Sequence, residues 1–281
     1  MRYLLFNPLS GKNDQPRENA EAFAVVEELP TKLIDITQIH SFTDFFDILE
    51  PTDDVVLFGG DGTVGTLVNA LYDYPIKNEI YYYPCGTGND FARDLGKAEA
   101  NSIILINDYI EKLPKVTVNG MERRFINGVG FGIDGYCCQV GDLLKRKGKQ
   151  PNYTSIAVNG LLFHFKPVNA TVTVDGRKMR FHKVWIAPTM YGRYYGGGMM
   201  PAPQQNRNAE QKKVSLMVFH NAGKLRTLGI FPSIFKGKHV KYTNCVSLYE
   251  GKSISVCFDQ PRSLQIDGET VENVMEYTVE V

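Results

Sequence analysis

Through its first third the chain repeats one pattern: a short apolar run, a polar break, then apolar residues at every third or fourth position. Residues 3–6, 32–36, 55–58 and 80–83 have the length and the β-branched and aromatic content of buried strands. Residues 18–29, halted by Pro30, and 42–49, halted by Pro51, read as helices. Val64, Leu67, Val68 and Leu71 mark the apolar face of a third helix, and residues 101–111 read as another. Strand and helix alternating at this spacing predict βαβ units on a parallel sheet. After about Lys115 the period drops to two. KVTVNGMERRF (115–125), TVTVDGRKMRF (171–181) and SLQIDGETVE (263–272) each alternate about an Asn-Gly or Asp-Gly pair, a strong hairpin signal. The expected architecture is an α/β domain over residues 1–116 and a mainly antiparallel β domain over 117–281, with helical insertions at 152–165 and 224–235.

Composition changes this picture little. Of 281 residues, 43% are hydrophobic, enough for a substantial core. Lys plus Arg and Asp plus Glu both number 31, and this balance argues against a nucleic-acid partner, which needs a basic excess. No apolar run reaches the roughly 18–20 residues of a membrane span. The opening MRYLLFNPLSGK meets proline and glycine too early for a signal peptide. The five cysteines, Cys85, Cys137, Cys138, Cys245 and Cys257, are odd in number and form no CxxC pair, the pattern of reduced thiols in a cytosolic protein. The histidines form no HExxH or HxxxH pair, which argues against zinc.

Candidate chemistry sits where strands give way to helices. FGGDGTVGTLVNAL (58–71) places Gly59, Gly60 and Gly62 at a strand-to-helix turn, where backbone N–H groups and a helix N-terminus attract phosphate. Asp61 would repel a phosphate and fits if a divalent cation lies between, so Asp61 is the candidate metal ligand. The structural alternative is a tight turn with Asp61 as a helix cap. YYYPCGTGNDFARDL (81–95) carries Gly86, Thr87, Gly88, Asn89 and Asp90 between the fourth strand and a further helix, and FNPLSGK (6–12) is a third such loop. Three turns at the carboxyl ends of strands in one parallel sheet point to a nucleotide or polyphosphate site. They are not P-loops: Gly11-Lys12 lacks the following Ser or Thr, and Gly251-Lys252-Ser253 has Val246 where the earlier glycine belongs. No GxGxxG follows the first strand either.

NPLSGK, GGDGT and GTGNDFAR, in this order, resemble the diacylglycerol kinase catalytic-domain family, which includes bacterial lipid kinases and sphingosine kinases and is distantly related to NAD kinases. The likeness continues through FINGVGFGIDG (125–135), GGGMMPAP (196–203) and QIDGE (265–269), so it spans nearly the whole chain. It implies an NAD kinase-like α/β domain, a β-sandwich-like second domain and an active-site cleft between them. It also implies ATP- and Mg²⁺-dependent phosphorylation of a lipid hydroxyl, with diacylglycerol to phosphatidic acid as the expected reaction. Carried over, Asn7, Pro8, Leu9, Ser10, Gly11, Thr37, Gly60, Asp61, Gly62, Thr63, Val64, Gly65, Thr66 and Thr87 fall on nucleotide-binding positions. Gly59, Gly88, Asn89 and Asp90 complete the same turns. Glu269 falls on the proton acceptor, against the alternative that Asp267-Gly268-Glu269 is only a hairpin. Asp134 is a further candidate catalytic carboxylate, against the alternative of a loop acid capping a turn.

Two positions depart from the family pattern. Thr66 stands where a glutamate usually follows GGDGT. Gln211-Lys212 stands at about the place of an Asp-Gly that binds a structural Mg²⁺, and lysine supplies no oxygen ligand, so this second metal is expected to be absent. These departures keep open a catalytically silent nucleotide- or lipid-binding member. The superfamily keeps open a kinase of NAD or another soluble alcohol, against which GTGNDFAR argues. Basic residues at 145–149 and 224–241, the latter interleaved with apolar ones, read either as transient contact with an anionic membrane or as solvated helix faces. The expected protein is cytoplasmic, peripheral to the membrane and acts on a lipid; a homodimer is compatible with all of this. Trp185 and residues 191–195 read as core or cleft lining.

Overall fold

The computed structural model describes residues 1–11, 14–97 and 103–281 and divides into two units, Met1–Leu113 and Pro114–Val281. Lys12 of the NPLSGK motif, and Asn101 and Ser102 of the expected 101–111 helix, lie outside the described residues.

In the first unit, β1 (Arg2–Phe6), β2 (Thr31–Asp35), β3 (Asp54–Gly59) and β4 (Glu79–Pro84) pair in parallel in the order β2-β1-β3-β4. β3 reads as one apolar run because both its faces are covered: Val55, Val56, Leu57 and Phe58 are all fully buried. The crossovers carry α1 (Gln15–Val26), α2 (Phe42–Asp47) and α3 (Asp61–Ala70), and α4 (Asp90–Asp94) follows β4. Proline opens α1, and the Ser41 hydroxyl caps α2 by accepting from the Asp44 N–H at 3.1 Å. Phe23 of α1 meets Phe58 edge-on at 5.7 Å, and Phe58 stacks on Tyr83 at 5.0 Å.

One expected helix is not there as drawn. Ile104–Leu105 forms a short strand, β5, antiparallel to β4, and only Asn107–Ile110 is helical (α5). Asn107 pins this segment to the sheet: its Oδ1 accepts the Ile80 N–H at 2.7 Å and its amide donates to the Asn78 carbonyl at 2.9 Å. Ile103, Ile104 and Ile106 are β-branched and suit a strand better than a helix.

The second unit is an antiparallel β-sandwich. Its strands are β6 (Lys115–Val118), β7 (Met121–Arg124), β8 (Gly128–Phe131), β9 (Val168–Val174), β10 (Arg177–Val184), β11 (Thr189–Met190), β12 (Val214–Phe219), β13 (Val246–Gly251), β14 (Ser253–Ile266) and β15 (Glu269–Glu280). β14 makes the two layers from one chain path. Its first half pairs with β9 and its last residues with β8, and its register with β15 breaks on the way. Phe131 stacks on Phe258 at 3.8 Å and meets Tyr277 edge-on at 5.7 Å in the core. All three expected hairpins form, with Asn119-Gly120, Asp175-Gly176 and Asp267-Gly268 each at positive φ, as a type I′ turn requires.

The expected helical insertions are α7 (Tyr153–Asn159), continued by a π-helical turn at Gly160–His164, and α8 (Lys224–Ile230). A 14-residue helix, α6 (Ile133–Arg146), was not legible in the pattern. Its glycines made it look like loop, yet Gly135 is there for packing: a Cβ at that position would lie 2.0 Å from the Ser263 carbonyl of β14. Trp185, Tyr191 and Tyr195 are core residues, and the Trp185 indole donates to the Ala222 carbonyl at 2.9 Å. No described helix is long and apolar enough to cross a membrane.

Candidate active site

Three turns meet at the carboxyl ends of β1, β3 and β4. The Asn7 side chain donates to Thr63 Oγ1 at 2.9 Å and accepts the Leu9 N–H at 3.0 Å, which folds the first turn across the start of α3. Gly60 and Gly86 stand back to back. A Cβ on Gly86 would lie 2.6 Å from the Gly60 Cα, so neither turn tolerates a side chain there. Asn89, at φ 48°, turns its Oδ1 onto the Gly86 N–H at 2.9 Å and closes the third turn.

Asp61 is the first residue of α3, but its carboxylate serves α4. Its two oxygens accept the Asp90 N–H at 2.8 Å and the Phe91 N–H at 3.1 Å. Asn89, the N-cap residue of α4, makes no side-chain cap of its own. The cap therefore comes from another turn, and a carboxylate at that position is favoured by both the orphan donors and the helix dipole. Asp61 thus clamps GGDGT to GTGND.

The remaining candidates of this unit divide. Ser10 lies in the cluster, 3.2 Å from the position a Gly60 Cβ would take, and Thr87 is exposed at the third turn. Val64 and Gly65 are buried within α3. Thr66 is exposed, and its hydroxyl donates back to the Gly62 carbonyl at 2.9 Å. Thr37 stands apart at the end of β2, with its N–H and hydroxyl both donating to Asp35 Oδ1, at 2.9 and 2.7 Å.

In the second unit the β14–β15 turn presents Glu269, half exposed and ion-paired with Arg123 of β7. Beneath it lies a residue whose role the sequence did not reveal. Asp267 is partly buried, and its carboxylate accepts three successive backbone N–H groups, from Ile126 (2.6 Å), Asn127 (2.9 Å) and Gly128 (3.0 Å). Burial pushes its pKa up, while the three amides and the nearby Arg207 cation pull it down. Arg207, itself buried, reaches Asn127 Oδ1 at 3.4 Å and lies over the Tyr191 ring. The polar run NRNAE gave no sign that its arginine would be internal.

Asp134, at the start of α6, is buried and accepts the Tyr195 hydroxyl at 3.1 Å. Burial raises its pKa to about 6, against hydrogen bonds from the Gly135 N–H and Tyr195. The neighbouring thiols are inert at neutral pH. Burial and the Asp134 charge push Cys138 up to about 12 and Cys137 higher still.

Comparisons with known proteins identify the family. A family model described as the diacylglycerol kinase catalytic domain matches residues 2–117, and one described as the YegS C-terminal NAD kinase beta sandwich-like domain matches residues 127–280. The chain belongs to the diacylglycerol kinase catalytic-domain family of lipid kinases. A diacylglycerol kinase of Mycobacterium tuberculosis is 26% identical over 266 residues, covering 90% of this chain and 83% of its own length. One from Bacillus subtilis is 23% identical over 279 residues, covering 95% and 88%. In fold, the crystal structure of a diacylglycerol kinase from Bacillus anthracis superposes with a TM-score of 0.60 at 18% identity, covering 99% of this chain and 93% of that one.

As a member of that family the protein is an ATP-dependent lipid kinase. Its loop around Lys212 does not fit the structural Mg²⁺ that the family resemblance implies. The Lys212 ammonium donates to the Arg207 backbone carbonyl at 2.6 Å, so an oxygen that could ligate a cation already holds one built into the chain.

Proposed function

We propose that this lipid kinase transfers the γ-phosphate of ATP to the free hydroxyl of diacylglycerol, giving phosphatidic acid and ADP. The observation that carries the reading is the union of three glycine turns at strand ends under the Asp61 clamp. Such a surface offers backbone donors and a helix start at close range, which suits a polyphosphate. Diacylglycerol as the acceptor rests on the activity for which the Mycobacterium tuberculosis and Bacillus subtilis relatives are named.

In this reading residues 7–11, 59–63 and 87–90 hold the nucleotide, with Thr37 and residues 64–66 at its margin. Mg²⁺ fits the donor set, because Asp61 is a carboxylate, the hard oxygen ligand that such a cation takes. When bound, the ion supplies positive charge against the phosphates. The lipid oxygen attacks the γ-phosphorus, the bond to the bridging oxygen breaks with its electron pair on ADP, and the proton passes to the Glu269 carboxylate. Arg123 holds that carboxylate in place. Asp134, buried at the start of α6, is a positioning residue. The enzyme works as a cytoplasmic protein peripheral to the membrane.

The test follows labelled γ-phosphate from ATP into diacylglycerol in mixed micelles. Wild type labels phosphatidic acid. Glu269→Gln loses roughly 10²–10⁴-fold in rate with an unchanged melting temperature, and Asp61→Ala loses labelling as well. ATP binding with no labelled lipid or soluble alcohol overturns the reading and leaves a silent binding protein.

A further inference from the structure

The chain is neutral overall, but its charge is not evenly spread. Residues 143–174 contain five Lys and Arg, residues 211–249 contain seven, and neither stretch contains a single Asp or Glu. The fold brings the two stretches together. The Lys224 ammonium at the start of α8 donates to the Leu162 carbonyl of the π-helical turn at 2.8 Å. α7 leads directly into that turn, and Lys145 at the end of α6 is drawn to the Tyr153 hydroxyl of α7. α7 and the π-helical turn carry no Lys or Arg themselves and lie between the basic end of α6 and Lys224 and Arg226 of α8, which together make one face.

Two large apolar side chains stand out from this face. Phe163 on the π-helical turn is 70% exposed and Leu225 on α8 is 81% exposed. The Lys224 bond holds the segments that carry them side by side. Exposed apolar residues alone would say little. Val25 and Val26 at the end of α1 are 85% and 78% exposed, but Glu27 and Glu28 follow them at once. An anionic surface would repel that site and attract the one around Phe163 and Leu225. Asp142 pairs with Lys145 at 3.7 Å and offsets one of these charges, but apolar tips beside two stretches that carry cations and no acid of their own are the chemistry of insertion at the headgroup boundary of an anionic bilayer.

We infer that the α7–π-turn–α8 face docks the protein on anionic phospholipid bilayers, with Phe163 and Leu225 entering the acyl boundary and Arg226 and the 145–149 cluster meeting the headgroups. The inference rests on the lipid-kinase reading, which gives the protein a substrate in a membrane, but its test does not use catalysis.

Full-length protein is sedimented with vesicles of phosphatidylcholine alone, and with vesicles containing phosphatidylglycerol, without ATP or diacylglycerol. Wild type should bind the anionic vesicles, weakly or not at all the neutral ones, and less as salt rises. Phe163→Ser with Leu225→Ser should weaken binding at least tenfold at an unchanged melting temperature, and Val25→Ser with Val26→Ser should leave it unchanged. In mixed micelles the Phe163/Leu225 variant should keep wild-type phosphoryl transfer. Unaltered vesicle binding by that variant overturns the inference. So does a change from dimer to monomer with vesicle binding intact, which would make the face a contact between copies. If wild type binds anionic vesicles through these residues yet phosphorylates no lipid, the surface stands and the proposed reaction falls.

Discussion

Asp175-Gly176 and Asp267-Gly268 are the same turn in sequence and in backbone. Each joins two alternating strands, and each puts an aspartate and a glycine at positive φ. Their carboxylates have different work. Asp175 is exposed, and one of its oxygens accepts the Lys252 and Ser253 N–H groups, both at 2.9 Å, at the rim of the sandwich. Asp267 is partly buried and gathers three amides from the segment that leads into β8, with a buried arginine close by. A type I′ turn asks only for residues that accept positive φ, and aspartate does so in both places. What distinguishes the two is the backbone that the fold lays beneath each, and that is a fact about residues about 140 positions away.

The sharpest way to break the comparison is to remove both carboxylates. Asp267→Ala leaves three buried N–H groups without an acceptor, a cost of about 3–5 kcal/mol. Asp175→Ala exposes its two amides to water and should cost under about 1 kcal/mol. Urea unfolding of the two variants checks this. Equal losses would mean that Asp267 is no more than a turn residue.

How much of this was legible follows the same line. The βαβ alternation and the three hairpins are local periodicities, and the sequence carries them openly. The glycine turns were legible as a set because three of them follow strands. Their mutual fit, Gly60 against Gly86, was not, because close approach depends on which strands are neighbours. Asp61 could be read as a ligand or a cap, but its capping of α4 instead of its own helix needs β3 and β4 side by side. α6 escaped notice because Gly135 and Gly141 lower helix propensity locally, while each makes room for a neighbour, the β14 backbone in one case and Tyr153 in the other.

Asp134 offers a second contrast with Asp267. It is buried where Asp267 is only partly so, and its charge is met by the start of α6 and a tyrosine hydroxyl. Its pKa is about 6 in the folded protein against an ordinary 3.8. Between those values the folded state keeps a proton that the unfolded state has lost. The group therefore favours folding most at low pH, and that contribution is lost as pH rises through about 6. Asp134→Asn can still accept from Tyr195 and cannot ionise. Relative to wild type it should gain about 3 kcal/mol between about pH 4 and pH 7. Unfolding curves at a series of pH values report the difference, and parallel profiles would remove the raised pKa.

The smallest effect concerns the loop that brings Arg207 to Asp267. Lys212 fixes this loop through the Arg207 carbonyl, with an ammonium where the family resemblance implies a divalent ion. If the ammonium does the ion's structural work, EDTA and Mg²⁺ should leave the wild-type melting temperature unchanged. Lys212→Met should lower stability by about 1 kcal/mol, whatever the Mg²⁺ concentration. Lys212→Asp is the more telling variant. It returns a carboxylate to a loop that already offers a backbone carbonyl, and hard cations seek such oxygens. Its loss of stability should be partly restored by millimolar Mg²⁺ and abolished again by EDTA. A wild-type protein that loses stability in EDTA would show instead that the loop holds a metal despite its lysine, and Arg207 would then owe its place beside Asp267 to that ion.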